Sequence, residues 1–422
     1  MTHLSKVLGA RPEKSSLPPM TSAKPPIRIL FPFAGDTGLG GSHVSALGLI
    51  GALDRSRYLP IIVMHGAPGA VGAHVQEMGQ EYEILPDISL LATPNQRRAG
   101  DVSLGRFVTR SLPALRQQIR RLRPDIIHTN EGRMHGNWAV AAQLTRSRHL
   151  WHHRQDPRAF GINKLAPLLS DQIVSVSHFA KPVRPIRSVE GRITVVRSPF
   201  DFPASRPDRA DAGARIRQEL GLPAQAVVLG WFGMLVGRKR PVQFVEAVDA
   251  IQRALPDRPV HGVMLGGPDA AEPDLETRTR ARAADLGIAD RIHLMGFRTP
   301  VAPWMAGVDI SLVTALHEPF GRTLIEAMDL GTPVVATRHG GNVEALRDGE
   351  TGHLVDPEAP AAFVPPVLRL LNDAPHRRRV IDAAQIEVRR SYGRDIHLRQ
   401  ICAVYDRMMA RGRHGSGPGS DS

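Results

Sequence analysis

The sequence predicts an α/β protein built as two Rossmann-like, doubly wound domains that face each other across a deep cleft. Three observations carry this reading. The first ordered segment runs strand, glycine-rich loop, helix, strand: Ile27-Arg28-Ile29-Leu30-Phe31, then Gly35 to His43, then a helical run through Val44, Leu47, Ile50 and Leu53, then Pro60 to Met64. A second series of the same kind starts at Val227-Val228-Leu229-Gly230-Trp231-Phe232-Gly233. Between them, Arg197 to Gln225 turns polar and carries Pro199, Pro203, Pro207 and Pro223, the signature of a domain boundary.

The elements follow in order. Residues 1–26 are rich in Pro, Ser and Lys without apolar period and read as a disordered arm. The first domain spans residues 27–200. Within it Leu104, Phe107, Val108, Leu112, Leu115, Ile119 and Leu122 share one helical face, with Pro113 starting or kinking a turn. Asp125-Ile126-Ile127-His128 reads as a buried strand, and Gln172 to Ser177 and Ile193 to Val196 continue the alternation. Residues 201–224 read as a linker. The second domain, 225–385, places strands at Gly262 to Gly267, Ile292 to Gly296, Ile310 to Val313 and Val334 to Thr337. Helix-length gaps between these strands require parallel pairing through crossover helices. A last helical stretch runs roughly from Ala361 to Ala410 with a break near Ser391, its end at 386–410 forming a C-terminal helix, and 411–422 reads as a disordered tail.

Composition bounds the function. The chain has 422 residues with 42% apolar, enough for two or three globular cores. Its longest apolar run, Ala226 to Val236, is far short of the roughly 20 residues of a spanning helix. No secretory pattern opens it, and the single Cys402 fits a reducing cytosol. A cytoplasmic location is therefore expected. Trp151-His152-His153 comes nearest to a metal-ligand cluster and lacks further ligands, so no metal is expected. The net charge of +13 calls for an acidic partner such as a nucleoside diphosphate or an anionic lipid surface, unless it reflects only an arginine-rich genome. With 5% aromatic residues and no nucleic-acid module, nucleic acid is not expected. The arginines of 104–123 offer a surface for peripheral contact at the inner membrane face, although a helix packed on the sheet with its arginines in water explains them more simply.

The most informative stretch is Glu318-Pro319-Phe320-Gly321-Arg322-Thr323-Leu324-Ile325-Glu326, closing on Gly331-Thr332-Pro333-Val334. A helix starting near Gly321 leaves its first N–H groups free to meet a phosphate. Glu318 lies just before that start and Glu326 in the early turns, so both carboxylates can address one ligand. Two lone glutamates would read as solvated, but the Pro-Phe-Gly turn, the Gly-Thr-Pro break and Gly340-Gly341 that follow argue for a site. This pattern resembles the donor-sugar signature of retaining glycosyltransferases of family 4, the group 1 type with the GT-B fold. The resemblance implies a nucleoside-diphosphate sugar as donor, UDP- or GDP-linked, with Glu318 on the sugar and Glu326 on the ribose. It also implies that the C-terminal helix returns to the first domain.

Further segments fit the same resemblance. Gly233 to Arg240 occupies the place of the family's diphosphate-binding segment, with Lys239 as its lysine. Met234 stands where the family has arginine, and Arg238 is the neighbouring replacement. Gly340 is placed near the donor, whereas Asp348 to Gly352 reads as a turn. Gly40-Gly41-Ser42-His43 resembles the loop that reaches the donor phosphates from the first domain. Pro124 to Asn130 matches a strand end where many members carry a sugar-contacting histidine. Here Asn130 holds that position and His128 lies on the same face, equally readable as a core residue. The resemblance thus names Glu318, Lys239, Arg238, Asn130 and His128 for catalysis. For donor binding it names Gly40, Gly41, Arg238, Lys239, Glu318, Phe320, Gly321, Arg322, Thr323, Glu326 and Gly340. The expected reaction is metal-independent, cofactor-free transfer to a saccharide, lipid-linked or small-molecule acceptor, in glycan or glycolipid biosynthesis. The rivals are an epimerase or phosphorylase of the same fold, and an inactive basic binding protein.

Overall fold

The computed structural model describes residues 25–35, 39–92, 100–270 and 272–410. The arm expected at 1–26, apart from residues 25 and 26, lies outside the described residues. So do the tail from 411 and Asp36, Thr37 and Gly38 of the glycine-rich loop.

Seven parallel strands form the first sheet: β1 (Ile27–Ala34), β2 (Tyr58–His65), β3 (Glu83–Ile84), β4 (Ile126–Thr129), β5 (Arg148–His153), β6 (Gln172–Ser175) and β7 (Ile193–Val195), in the order β3-β2-β1-β4-β5-β6-β7. Six more form the second: β8 (Val227–Phe232), β9 (Val260–Leu265), β10 (Ile292–Leu294), β11 (Ile310–Val313), β12 (Val334–Thr337) and β13 (His353–Val355), in the order β10-β9-β8-β11-β12-β13. Counted from its own first strand, each sheet follows the same doubly wound order. Each therefore has a switch point between its first and fourth strands, where a ligand crevice opens at the carboxyl ends. Gly35 and Asn130 end the pair β1 and β4; Gly233 and Thr314 end the pair β8 and β11. Alternation along β1 sends Ile29, Phe31 and Phe33 to one core and Leu30 to another, so both faces of the sheet are covered.

Three stretches depart from expectation. The helix expected over 104–123 is interrupted by a π-turn at Phe107–Ser111 before Leu112–Leu122. The Leu112 N–H donates to the Phe107 carbonyl, five residues back, just where Pro113 has no N–H to offer. The phase shift keeps Phe107, Leu115, Ile119 and Leu122 buried but leaves Leu104 64% and Val108 50% exposed. In the stretch expected as a linker, Arg209–Glu219 is a helix. Asp208 caps it, accepting the Asp211 N–H at 2.9 Å, and Ala212 and Ile216 pack with Val228 and Val308 of the second domain. With Ile216 as its one large apolar residue, this helix shows no readable period.

The last helical stretch divides into Val364–Asn372, Ala374–Tyr392 and Arg394–Ala410. In the middle helix Ala384, Val388 and Tyr392 pack beside Leu324 and Met328 of the second domain. At the crossover the Phe200 N–H donates to the Tyr392 carbonyl at 2.9 Å. The final helix then lies on the first domain, where Ile401, Val404, Tyr405 and Met408 join Phe31, Leu47 and Ile50. The first domain's core is thus completed by the end of the chain. Ile401→Ala should cost about 2–5 kcal/mol through the cavity it leaves. Hydrogen exchange should then show lost protection in residues 27–64 and unchanged protection in 227–265; equal loss in both would contradict this assignment of the helix.

Candidate active site

The second domain's wall is assembled at the ends of β8 and β11. Trp231 Nε1 donates to the Lys239 carbonyl at 3.3 Å, and Thr314 Oγ1 donates to it at 2.8 Å, fixing the turn Gly237–Lys239 over the strand ends. The Lys239 side chain then runs back across Gly233, whose φ is +136°; a Cβ there would stand 2.8 Å from Lys239 Cε. Glycine at 233 therefore serves both an unusual backbone angle and the lysine's path. Lys239 Nζ ends 3.9 Å from Glu318 Oε2, and Arg238 pairs with the same carboxylate oxygen. Burial pulls the Glu318 carboxyl upward, but Lys239, Arg238 and the Gly321 N–H outweigh it and hold it below the usual range. Glu318 is therefore ionised. Burial pushes Lys239 downward, opposed by Glu318, and pushes the Glu326 carboxyl upward, opposed by Arg322 and Lys239.

Glu318 is held by its main chain. Its carbonyl accepts the Gly341 N–H at 2.7 Å, and a Cβ on Gly340 would meet that carbonyl at 2.8 Å. A Cβ on Gly341 would meet Phe320 Cα, also at 2.8 Å. The glycine pair lets one loop lie directly on the other. The helix Arg322–Asp329 begins immediately afterwards, so its N-terminus lies beside the Glu318–Lys239–Arg238 group.

In the first domain, Gly40 caps the helix Gly41–Ala52. His43 Nδ1 accepts the Gly40 N–H at 3.1 Å, which leaves His43 Nε2 to donate to Glu131 Oε2 at 3.1 Å. The other Glu131 oxygen accepts the Ala34 N–H at 2.6 Å. Asn130 is 3% exposed, and neither its amide oxygen nor its amide nitrogen has a hydrogen-bond partner among the described residues. Beyond β5, Arg154 Nη1 donates to Ser198 Oγ at 2.8 Å and Nη2 lies 3.4 Å from His152 Nδ1. Its surface is partly open, yet burial pushes the guanidinium down to about 9, aided by the positive charge of Arg322.

The two walls meet through Arg322. A Cβ on Gly41 would stand 3.0 Å from Arg322 Cδ, so the N-termini of helices Gly41–Ala52 and Arg322–Asp329 confront each other across the cleft. Arg322 Nη1 donates to Ser45 Oγ and to the Pro199 carbonyl, each at 3.3 Å, and its guanidinium stacks 4.4 Å from the Phe200 ring centre. Nη2 lies 3.5 Å from Glu326 Oε1. Two further bonds close the junction: Ser177 Oγ donates to the Pro319 carbonyl at 2.6 Å, and the Glu344 carboxylate accepts the His178 and Phe179 N–H groups at 2.9 and 2.7 Å.

The geometry brings Glu318, Lys239, Arg238, Gly321, Gly340 and Arg322 together, with Gly40 and Gly41 opposite. Thr323 and Lys239 line one small cavity with Trp231 and Thr314. Met234 is 52% exposed and bears no charge. Two named side chains stand apart. The Phe320 ring is buried between Phe200 and Tyr392, so only its backbone can face a ligand. His128 is fully buried with Nδ1 2.6 Å from the Tyr405 hydroxyl and Nε2 3.1 Å from His152 Nδ1, which leaves no ring nitrogen for a substrate. Asp348 to Gly352 closes on itself, with the Gly349 N–H on the Gly352 carbonyl at 2.8 Å. Sequence reading missed Arg154 and the junction role of Glu344, since neither follows from local spacing. Among the described residues no group of three or more His, Cys, Asp and Glu side chains could hold a metal ion, and no helix is long and apolar enough to cross a membrane.

Fold and site together define a GT-B protein with a cationic cleft. The overall likeness extends to Anabaena Alr3699/HepE in complex with UDP and glucose, at a TM-score of 0.74, 21% identity and coverage of 90% of this chain and 100% of that one. A glycosyltransferase from Rickettsia africae ESF-5 matches at a TM-score of 0.71 and 18% identity, over 92% of this chain and all (100%) of that one. Residues 226–373 match the family model described as Glycosyl transferases group 1. Curated relatives include D-inositol 3-phosphate glycosyltransferases of Corynebacterium glutamicum strain R, 34% identical over 222 residues (52% of each chain). That of Corynebacterium efficiens is 35% identical over 217 residues, 51% of this chain and 50% of the relative. The chain thus spans about half the length of the curated relatives it matches.

The histidines give the site's surroundings a pH dependence. Burial holds His128, His135 and His152 well below 6.5, His149 and His397 at about 3 and His153 at about 4. All six are neutral when folded, while the unfolded chain protonates them near 6.5. The unfolded state therefore binds more protons below that pH. Stability is full above about 6.5 and falls as pH drops toward 4 and 3, by up to about 1.4 kcal/mol per pH unit for each group. Glu326 acts in the opposite sense, but alone. Calorimetry should show the melting temperature dropping between pH 7.5 and 5, with the first domain unfolding first; a flat profile would contradict neutral burial.

Proposed function

We propose that this chain is a retaining glycosyltransferase of the family 4 type. It moves a sugar from a nucleoside-diphosphate sugar to a hydroxyl of an acceptor held by the first domain. The observation that carries the reading is the convergence of Lys239, Arg238 and the helix N-terminus at Arg322 on one point, with the N-terminus at Gly41 facing it. Backbone N–H groups and two cations offer an anion what a departing diphosphate needs: stabilisation of the charge that develops as the sugar leaves. Metal-free catalysis follows from that arrangement, because lysine, arginine and helix dipoles supply the positive potential.

Glu318, held ionised, accepts hydrogen bonds from the sugar's hydroxyls and turns its anomeric carbon toward the acceptor. Glu326 addresses the ribose. A double displacement would need a free carboxylate beneath the sugar. Glu131, the acid next to Asn130, has both oxygens engaged by Ala34 and His43. That supports attack from the face the diphosphate leaves, with the leaving phosphate taking the acceptor's proton and the anomeric configuration retained.

The test is incubation with UDP- and GDP-sugars and candidate acceptors in the presence of EDTA. An α-linked donor should yield an α-linked product, read from the anomeric coupling constant. A β-linked product overturns the mechanism, and activity abolished by chelation and restored by Mg²⁺ overturns the metal-free reading.

Lys239→Ala and Glu326→Ala should each weaken nucleotide binding by about 1.5–3 kcal/mol without unfolding the protein, the loss expected for a charge-assisted hydrogen bond. Titration calorimetry checks this, and unchanged affinity in both variants would remove the site assignment.

A further inference from the structure

Arg154 is left unexplained by donor binding. It follows β5, and Thr129 pairs with Trp151 between β4 and β5, so Asn130 and Arg154 leave neighbouring strands at the same end of the sheet. No described carboxylate is paired with Arg154. Glu131 is engaged by His43 and Ala34, Asp201 by Arg394, Glu326 by Arg322, and Asp156 Oδ1 by the Arg158 N–H. The nearby histidines are neutral, and the group that does approach is a second cation, Arg322. Its Nη1 binds the Pro199 carbonyl, next to the Ser198 that holds Arg154. A poorly solvated guanidinium without counter-charge and with a like charge beside it is strongly disfavoured. An anion between the two would remove both penalties. Arg154 Nε and the whole Asn130 amide have no partner among the described residues, so donors and an acceptor for such a ligand are already in place.

We propose that Arg154, assisted by Arg322, binds an anionic substituent of the acceptor, a phosphate or a carboxylate, and that Asn130 takes a hydroxyl next to it. This rests on the transferase reading, in which Lys239, Arg238 and the second domain's helix N-terminus take the donor diphosphate. The acceptor class is then a hydroxyl compound carrying an acidic group, and Arg154 determines specificity for it. The alternative, an arginine that only ties β5 to Ser198, requires no anion.

The experiment titrates the full chain, saturated with UDP or GDP, with inorganic phosphate and separately with acetate. The wild type should bind at least one of them. Arg154→Gln should weaken that binding tenfold or more while nucleotide affinity stays within twofold. Preference for phosphate or for acetate identifies the acidic group. Arg154→Lys keeps charge and length but loses the planar fork, and serves if the glutamine variant does not fold; its anion affinity should fall at least threefold. The proposal is overturned if neither anion binds the nucleotide-loaded chain, if the variants bind it as the wild type does, or if phosphate merely competes with the nucleotide. Should no nucleotide bind, the donor reading fails, and the same titrations on the nucleotide-free chain still decide the role of Arg154.

Discussion

The structure depends on one junction, where the turn Pro319-Phe320-Gly321 is pressed against the first domain. Phe320 packs with Phe200 and Tyr392, and the same cluster takes in Val176 and Ala180 from one domain and Leu324 and Val388 from the other side. Around this apolar seam, the Ser177 hydroxyl and the Glu344 carboxylate make the polar bonds that fix its register. Burying aromatic surface supplies the attraction, while hydrogen bonds to buried groups penalise any other alignment. Because Glu318 and Arg322 flank the anchored turn, the seam sets where their side chains stand relative to Gly41 and Ser45. The cleft's chemistry is thus inherited from packing a few ångströms away.

Charge is distributed unevenly around that seam. Many surface arginines pair with acids, as in Arg57–Asp406 and Arg280–Glu276, and such exposed pairs contribute little. In the cleft the balance differs: Lys239, Arg238, Arg322 and Arg154 are answered by Glu318 and Glu326. Part of the overall charge of +13 is therefore concentrated where two helix N-termini already favour anions. An excess of one sign of charge between low-dielectric walls raises the local concentration of oppositely charged ligands.

The fold was legible because its signals are local. Continuous apolar runs such as Val227 to Phe232 mark doubly covered strands, and the Pro-Phe-Gly and Gly-Thr-Pro breaks mark the ends of one helix. What escaped reading was set by tertiary context. The helix Arg209–Glu219 shows no period because its stability comes from Asp208 at its cap and from Ala212 and Ile216 against a sheet that starts later in the chain. Leu104 and Val108 read as core because a π-turn cannot be counted from spacing. Arg154 was silent for a related reason. Its meaning lies in partners it lacks and in Arg322, 168 positions further on, and neither is written near it in the sequence.

The site's motif residues divide by what they do, and the glycines show this best. Gly340 and Gly341 read as permission for a ligand to come close. In the structure the close neighbour is the main chain of Glu318 to Phe320, with a Gly341 N–H on the Glu318 carbonyl. Gly233 likewise makes way for Lys239. These glycines hold the charged residues in place. A sequence pattern of this kind therefore records two constraints in one string: backbone contacts that fix Glu318 and Lys239, and the side chains so fixed. The first-domain wall has no comparable string. Asn130, Glu131, Arg154 and Ser198 follow the ends of β4, β5 and β7, brought together by the doubly wound order. Its arrangement is encoded by topology, and becomes readable only once the strands are placed side by side.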